Sequence, residues 1–401
     1  MKILVLNSGS SSIKYKLFEL PAGTPLATGI IQRIGEEFSI IKQESDNGNI
    51  TFEQPVKNHE EGMQIIQSLL TQNDHAIIQS FDEIEACGHR IVHGGESISG
   101  SVLIDTNIEK IIQDYFDLAP LHNPPNLVGV RAAKKFLPHI PHIACFDTAF
   151  HQSLRPIAYM YALPYEFYSQ FKIRKYGFHG TSHQYVMRRA SKLLNKSIES
   201  IKLITCHLGN GCSITAVAQG KSVDTSMGLT PLEGLIMGTR SGDFDPAIVF
   251  HLIRKGFRAE EIDVIANKKS GLLGVSGISN DVRDLIEKST TGNERARLAL
   301  AMFCYRLKKY IGSYMAVLNG CDGIVFTGGI GENAAMLREQ TVSDMESLGI
   351  ILDATKNNDG GSKERFINST DSRVKIMVIP TNEESAIASE TYDIAINLVQ
   401  S

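Results

Sequence analysis

Two arginines, one histidine and three turns of small residues carry the chemistry of this sequence. Arg90 interrupts an apolar, strand-like run over residues 84–93, beside His89 and His93. Arg240 lies in Met237-Gly238-Thr239-Arg240-Ser241-Gly242-Asp243, a polar, glycine-rich loop. A strand arginine often only snorkels or pairs. The turns are residues 8–12, residues 209–211 and residues 328–333. Their backbone N–H groups and hydroxyls suit phosphate oxygens, and Lys14 adds a positive charge beside the first. The third leads into a helix, whose N-terminus favours anions. Two guanidinium groups and three such turns in one chain read as a clamp on phosphoryl and carboxylate groups. His179, flanked by Gly177 and Gly180, suits donation to a transferring phosphoryl group. His183 follows at i+4, but the glutamate of H-E-x-x-H is missing, which argues against zinc. Asn7, Asp147 and Glu383 would serve Mg²⁺ directly or through water, because that ion takes one or two carboxylates plus phosphate and water. Blander readings exist: a hairpin with a polar tip for residues 8–12, and for Glu383 a first-turn helix residue that favours the macrodipole.

The elements that would position these groups repeat. Residues 3–18 read as apolar strand, small-residue turn and alternating strand, and residues 203–217 do so again, with Gly9 and Gly209 in equivalent places. Asn7, Asp147, His207, Gly329 and Thr381 all fall at or just after strand-like runs. Helices are expected around residues 58–70, 107–116, 126–136 and 295–318, with a last helix after Glu384. A duplicated α/β fold with a cleft between its halves explains this pattern, and such folds bind ligands beyond the carboxyl ends of their strands.

The bulk properties exclude several classes. At 401 residues the chain has room for two or three domains. A net charge of −4 provides no basic field for nucleic acid. No apolar run approaches the roughly 18–20 residues needed to cross a bilayer, and no signal-peptide pattern opens the chain. Six scattered cysteines without C-x-x-C read as buried, reduced thiols of a cytoplasmic protein.

Taken together, the motifs resemble the acetate kinase family. They are residues 7–14, HRIVHGGE at 89–96, APLHNPPN at 119–126, CFDTAF at 145–150, YGFHGTSH at 176–183, HLGNG at 207–211, residues 224–242, GGIGEN at 328–333 and TNEE at 381–384. The resemblance implies the duplicated actin-like fold of the acetate and sugar kinase/Hsp70/actin class, in two domains. The first would be residues 1–148 completed by 385–401; the second, 149–384, would carry the nucleotide site and a homodimer interface. It implies reversible phosphoryl transfer between ATP and acetate, giving acetyl phosphate and ADP, with Mg²⁺ or Mn²⁺. Carried over by motif, Asn7 and Glu383 would hold the metal. Lys14, His207, Leu208, Gly209, Asn210, Gly211, Asp281, Val282, Arg283, Gly329, Ile330, Gly331, Glu332 and Asn333 would hold the nucleotide. Arg90 would bind the acyl substrate, and Val92, Leu121, Phe178 and Pro231 would enclose its methyl group. His179 and Arg240 would stabilise the transition state. Asp147 is the family's acid/base candidate, although a carboxylate nucleophile needs little deprotonation, which favours Asp147 as an orienter of Arg90 or the metal.

Three rivals stand beside this reading. A propionate kinase of the same family differs by one methylene in its substrate. An NAD-dependent oxidoreductase would use the G-x-G-x-x-A at Gly329 to Ala334, with Asp353 after a strand-like run at 350–352. A non-catalytic nucleotide-binding protein of actin-like fold would not need Arg90, His179 or Arg240.

Overall fold

The computed structural model describes residues 1–72, 75–361 and 363–400. The chain forms two compact units, Met1–Ala149 with Asn382–Ser401, and Phe150–Thr381. The second boundary therefore falls before the TNEE motif's asparagine, rather than after Glu384. Ser401 lies outside the described residues.

The first unit holds an eight-stranded sheet in the order β5-β4-β3-β2-β1-β6-β8-β7. The strands are β1 Lys2–Gly9, β2 Ser12–Glu19, β3 Thr24–Gln32, β4 Ser39–Ser45, β5 Gly48–Gln54, β6 Ile84–Ile91, β7 Val102–Leu103 and β8 His142–Phe146. β1 is antiparallel to β2 and parallel to β6. Strand side chains alternate between faces, so β1 feeds two cores. Leu4 and Leu6 pack with Met63, Ile66 and Ala133, whereas Ile3 and Val5 pack with Ile387, Ala388 and Ala395 of the helix Glu383–Gln400. Cover on both faces explains why β1 reads as a continuous apolar run.

The second unit holds a six-stranded sheet in the order β11-β10-β9-β12-β14-β13. Its strands are β9 Lys202–Leu208, β10 Cys212–Ala218, β11 Lys221–Thr225, β12 Gly323–Thr327, β13 Arg365–Phe366 and β14 Lys375–Val378. The run β11-β10-β9-β12-β14 repeats β3-β2-β1-β6-β8 strand for strand, with the same antiparallel first pairs and parallel last pairs. The duplication read from the two turns is thus a duplication of topology. All six cysteines are free thiols. Among the described residues, no helix is long and apolar enough to cross a membrane.

One helix differs usefully from expectation. It spans Asn123–Phe136, so Asn126 lies in its first turn rather than opening it. Pro124 and Pro125 sit where helical N–H groups have no partner in any case, and they start the helix early.

Candidate active site

In the first unit, Arg90 near the end of β6 and Asp147 just beyond β8 meet because their strands are parallel neighbours. Arg90 Nε donates to Asp147 Oδ1 at 3.0 Å and Nη2 donates to Oδ2 at 2.8 Å, a two-pronged fork. Asp147 is 3% exposed. Its charge raises the Arg90 pKa against the effect of burial, helped by Glu383, whose Oε2 is 3.8 Å from Arg90 Nε. Burial pushes the Asp147 carboxyl up, and Arg90 pulls against that rise. Both Asp147 oxygens are thus committed to Arg90. Asn7 pairs with Lys14 across the β1–β2 hairpin. Lys14 is exposed and lines a hollow of about 180 Å³ with Lys16, Lys42 and Glu384.

Two asparagines that the sequence reading passed over fix the strand ends. Asn126 Nδ2 donates to Ser8 O at 2.7 Å, and its Oδ1 accepts from Val92 N at 3.1 Å. Asn123 accepts from His93 N and donates to His93 O. The helix start thereby stitches the end of β1 to the segment after β6. A Cβ on Gly129 would come 2.1 Å from Ser8 Oγ, so this approach requires glycine. The available signal was the HNPPN run itself, two asparagines flanking two prolines.

In the second unit, His179 is the N-cap of the helix Gly180–Leu194, in the left-handed region at φ 59°. Its ring lies 4.3 Å from that of His207, centroid to centroid. A Cβ on Gly211 would lie 3.5 Å from His179 Nε2 and 3.3 Å from Arg240 Nη2. The imidazole edge and the guanidinium therefore converge on the turn Gly209 to Gly211. Arg240 Nη1 donates to Pro231 O at 2.8 Å. Burial disfavours its charge, and among the described residues no carboxylate forms an ion pair with it. A half-buried guanidinium held by a carbonyl attracts an anion.

The same turn opens a cavity of about 690 Å³. Gly209, Asn210, Asp281, Val282, Arg283, Gly329, Ile330 and Asn333 line it, with Ala334 of the G-x-G-x-x-A turn and with Asn280 and Ile286, which no motif had singled out. His207 and Leu208 end β9 beside it. Gly331 is buried, and Glu332 turns inward, accepting from Gly328 N at 2.9 Å and Thr381 N at 3.1 Å. The expected methyl-pocket residues divide between the units. Val92 and Leu121 belong to the first, where Leu121 is 67% exposed; Phe178, which is buried, and Pro231 belong to the second.

The dinucleotide reading finds no support. Residues 350–352 form only an isolated bridge, Leu352 to Asn368, and Asp353 caps the helix Ala354–Asn358 and pairs with Lys356. A ribose-binding acid needs a free carboxylate at a strand end.

Buried histidines shape both units. His142 Nε2 donates to Leu137 O, so its Nδ1 accepts from His89 Nε2 at 3.0 Å. With Cys87 these form the cluster of metal-ligand spacing found among the described residues, but the imidazoles already satisfy each other. Burial lowers His151 to about 4 and His183 well below its usual value. Both are neutral in the fold, whereas the unfolded chain takes up protons below about 6.5. Stability therefore falls as pH drops from 6.5 toward 4. His151 alone accounts for about 2 kcal/mol at pH 5. Urea midpoints measured at pH 7, 6 and 5 should decrease in that order; equal midpoints would contradict the neutral-histidine assignment.

Comparison with known proteins identifies the family. The model of the acetokinase family matches residues 2–389. The chain is 54% identical over 393 residues to the acetate kinase of Halothermothrix orenii, covering 98% of each chain. It superposes on the crystal structure of Porphyromonas gingivalis acetate kinase with a TM-score of 0.95 at 46% identity, covering 98% of this chain and 99% of that one. A propionate kinase structure from Francisella tularensis gives 0.91 at 43% identity, with the same coverage.

Proposed function

Because this chain belongs to the acetokinase family and shares its activity, phosphoryl transfer to the carboxylate of acetate, we propose a role for each polar cluster in that reaction. The observation that carries the proposal is the convergence of His179 and Arg240 on Gly211, beside a cavity of nucleotide size. ATP binds along the turns at Gly209 and Gly329, with its base against the residues around Val282 and Ile330. Arg240 and His179 donate to oxygens of the transferring phosphoryl group and balance its charge. Arg90 binds the acetate carboxylate through N–H groups not used by Asp147. Asp147 orients Arg90 and moves no proton, because both its oxygens already accept from the guanidinium.

Asn7 and Glu383 would hold Mg²⁺, or Mn²⁺ in its place. The donors fit a hard cation: one amide oxygen, and one carboxylate that is 20% exposed. When bound, the metal would supply charge neutralisation on phosphate oxygens. The products are acetyl phosphate and ADP. We assign the enzyme to the cytoplasm as a homodimer; exposed Leu298, Met302 and Tyr305 on the helix Glu294–Leu318 offer an apolar face for a second copy.

The purified protein mixed with ATP, Mg²⁺, acetate and hydroxylamine should yield acetohydroxamate; absence of product would overturn the assignment. One methylene is worth about 1–3 kcal/mol of discrimination. The value of kcat/KM for acetate should therefore exceed that for propionate by about tenfold or more. A reversed ratio would select the propionate kinase reading.

A further inference from the structure

His179 Nδ1 lies 2.8 Å from Ser213 Oγ, and Ser213 Oγ lies 2.7 Å from His183 Nε2. His183 Nδ1 in turn lies 2.7 Å from Thr205 Oγ1. Ser213, His183 and Thr205 are fully buried. In the β9–β10 ladder Ser213 pairs with His207 and Thr205 with Thr215, two residues further along, and His183 comes from the helix that His179 caps.

A hydroxyl has one proton to donate, so Ser213 donates to only one of its two imidazoles. If it donates to His179 Nδ1, then His183 Nε2 donates to Ser213 and Thr205 donates to His183 Nδ1. The protons of Ser213 Oγ, His183 Nε2 and Thr205 Oγ1 then each have an acceptor within 2.8 Å. If the direction reverses, the Thr205 proton is left with Thr215 O at 3.5 Å, a poor bond for a buried hydroxyl. The first arrangement wins. It leaves His179 with its proton on Nε2, the edge that lies beside Gly211.

We propose that Ser213 is a positioning residue for His179: backed by His183 and Thr205, its hydroxyl fixes the Nε2–H tautomer and aims that N–H at the Gly211 turn. The proposal rests on the reading of His179 as a donor to the phosphoryl group. Among the described residues, titratable or charged groups facing His179 include Arg240 from its loop and His207 from β9. His151 lies beyond, with its ring 5.8 Å from that of His183.

Ser213→Ala removes the donor to Nδ1, so His179 takes the other tautomer or a second proton more readily. We expect kcat to fall about tenfold or more while KM for acetate and ATP stays within about twofold. The His179 limb of the kcat–pH curve should move to higher pH. Ser213→Thr, which retains the hydroxyl, should restore both to near the parent values. If Ser213→Ala does not fold, Ser213→Cys replaces it; its weakly donating thiol should give a smaller shift in the same direction. Parental kcat and pH curve in the Ala or Cys variant, with His179→Gln inactive in the same assay, would overturn the proposal. An active His179→Gln would instead overturn the role of His179 on which the proposal rests.

Discussion

Arg240→Ala lowers kcat for acetyl phosphate formation by about a hundredfold or more, the loss expected when a donor aimed at developing charge is removed from a desolvated site. KM for ATP should change by less than about threefold, because the nucleotide cavity is lined by other residues. Arg240 has its Nη1 held by Pro231 O, and its burial goes uncompensated by any carboxylate among the described residues. Such a guanidinium is stabilised when an anion arrives, and most when the charge on that anion spreads in the transition state. Arg240→Lys keeps a charge but loses the planar fork, so it should recover only part of the rate. Steady-state hydroxamate assays on folded variants decide the matter; near-normal turnover in Arg240→Ala would refute the clamp.

Arg90→Ala should damage both activity and stability. Loss of the carboxylate-binding group should lower kcat/KM for acetate by about a hundredfold or more. In addition, Asp147 is 3% exposed and would lose the group that both its oxygens accept from. Breaking a buried pair from one side costs about 3–5 kcal/mol; because Arg90 keeps some solvent exposure, the lower end applies here. Asp147→Asn should cost less stability, since the freed guanidinium is less buried and Glu383 lies 3.8 Å from its Nε. The pH dependence separates the two variants. Arg90 opposes the rise that burial and Glu383 impose on the Asp147 carboxyl, so without it the folded pKa moves further above the unfolded value. The folded state then holds the extra proton, so the stability deficit of Arg90→Ala should shrink between pH 7 and pH 5. A deficit independent of pH would show that Asp147 finds another partner.

The sequence made the strands and their ends legible because β1 and β9 are apolar on both faces and stop at small-residue turns. It also placed Arg90 within a strand, Asp147 just after one, His179 ahead of a helix and Arg240 in a loop, although the strand holding Arg90 ends at Ile91, before His93. It did not disclose their partners. The Arg90–Asp147 fork joins residues 57 apart, and Ser213 reaches His179 across 34. Such bonds follow from register and helix placement, which periodicity does not encode. The run at 350–352 misled for a related reason: its apolar character serves packing around a single bridge rather than a ladder. Leu121 was placed by motif alone, and motif carries no information about its exposure.

The order of the segments bears on how the chain is made. One face of β1 is covered by Ile387, Ala388 and Ala395, which follow the whole of the second unit. During synthesis the ribosome delivers residues 150–381 before it delivers that cover. The later unit can close its core while the earlier one still shows Ile3 and Val5 to solvent. Proteins commonly fold from the N-terminus during translation; here the N-terminal sheet is the one left waiting. A released chain truncated after Thr381 should therefore recruit chaperones through its first strand.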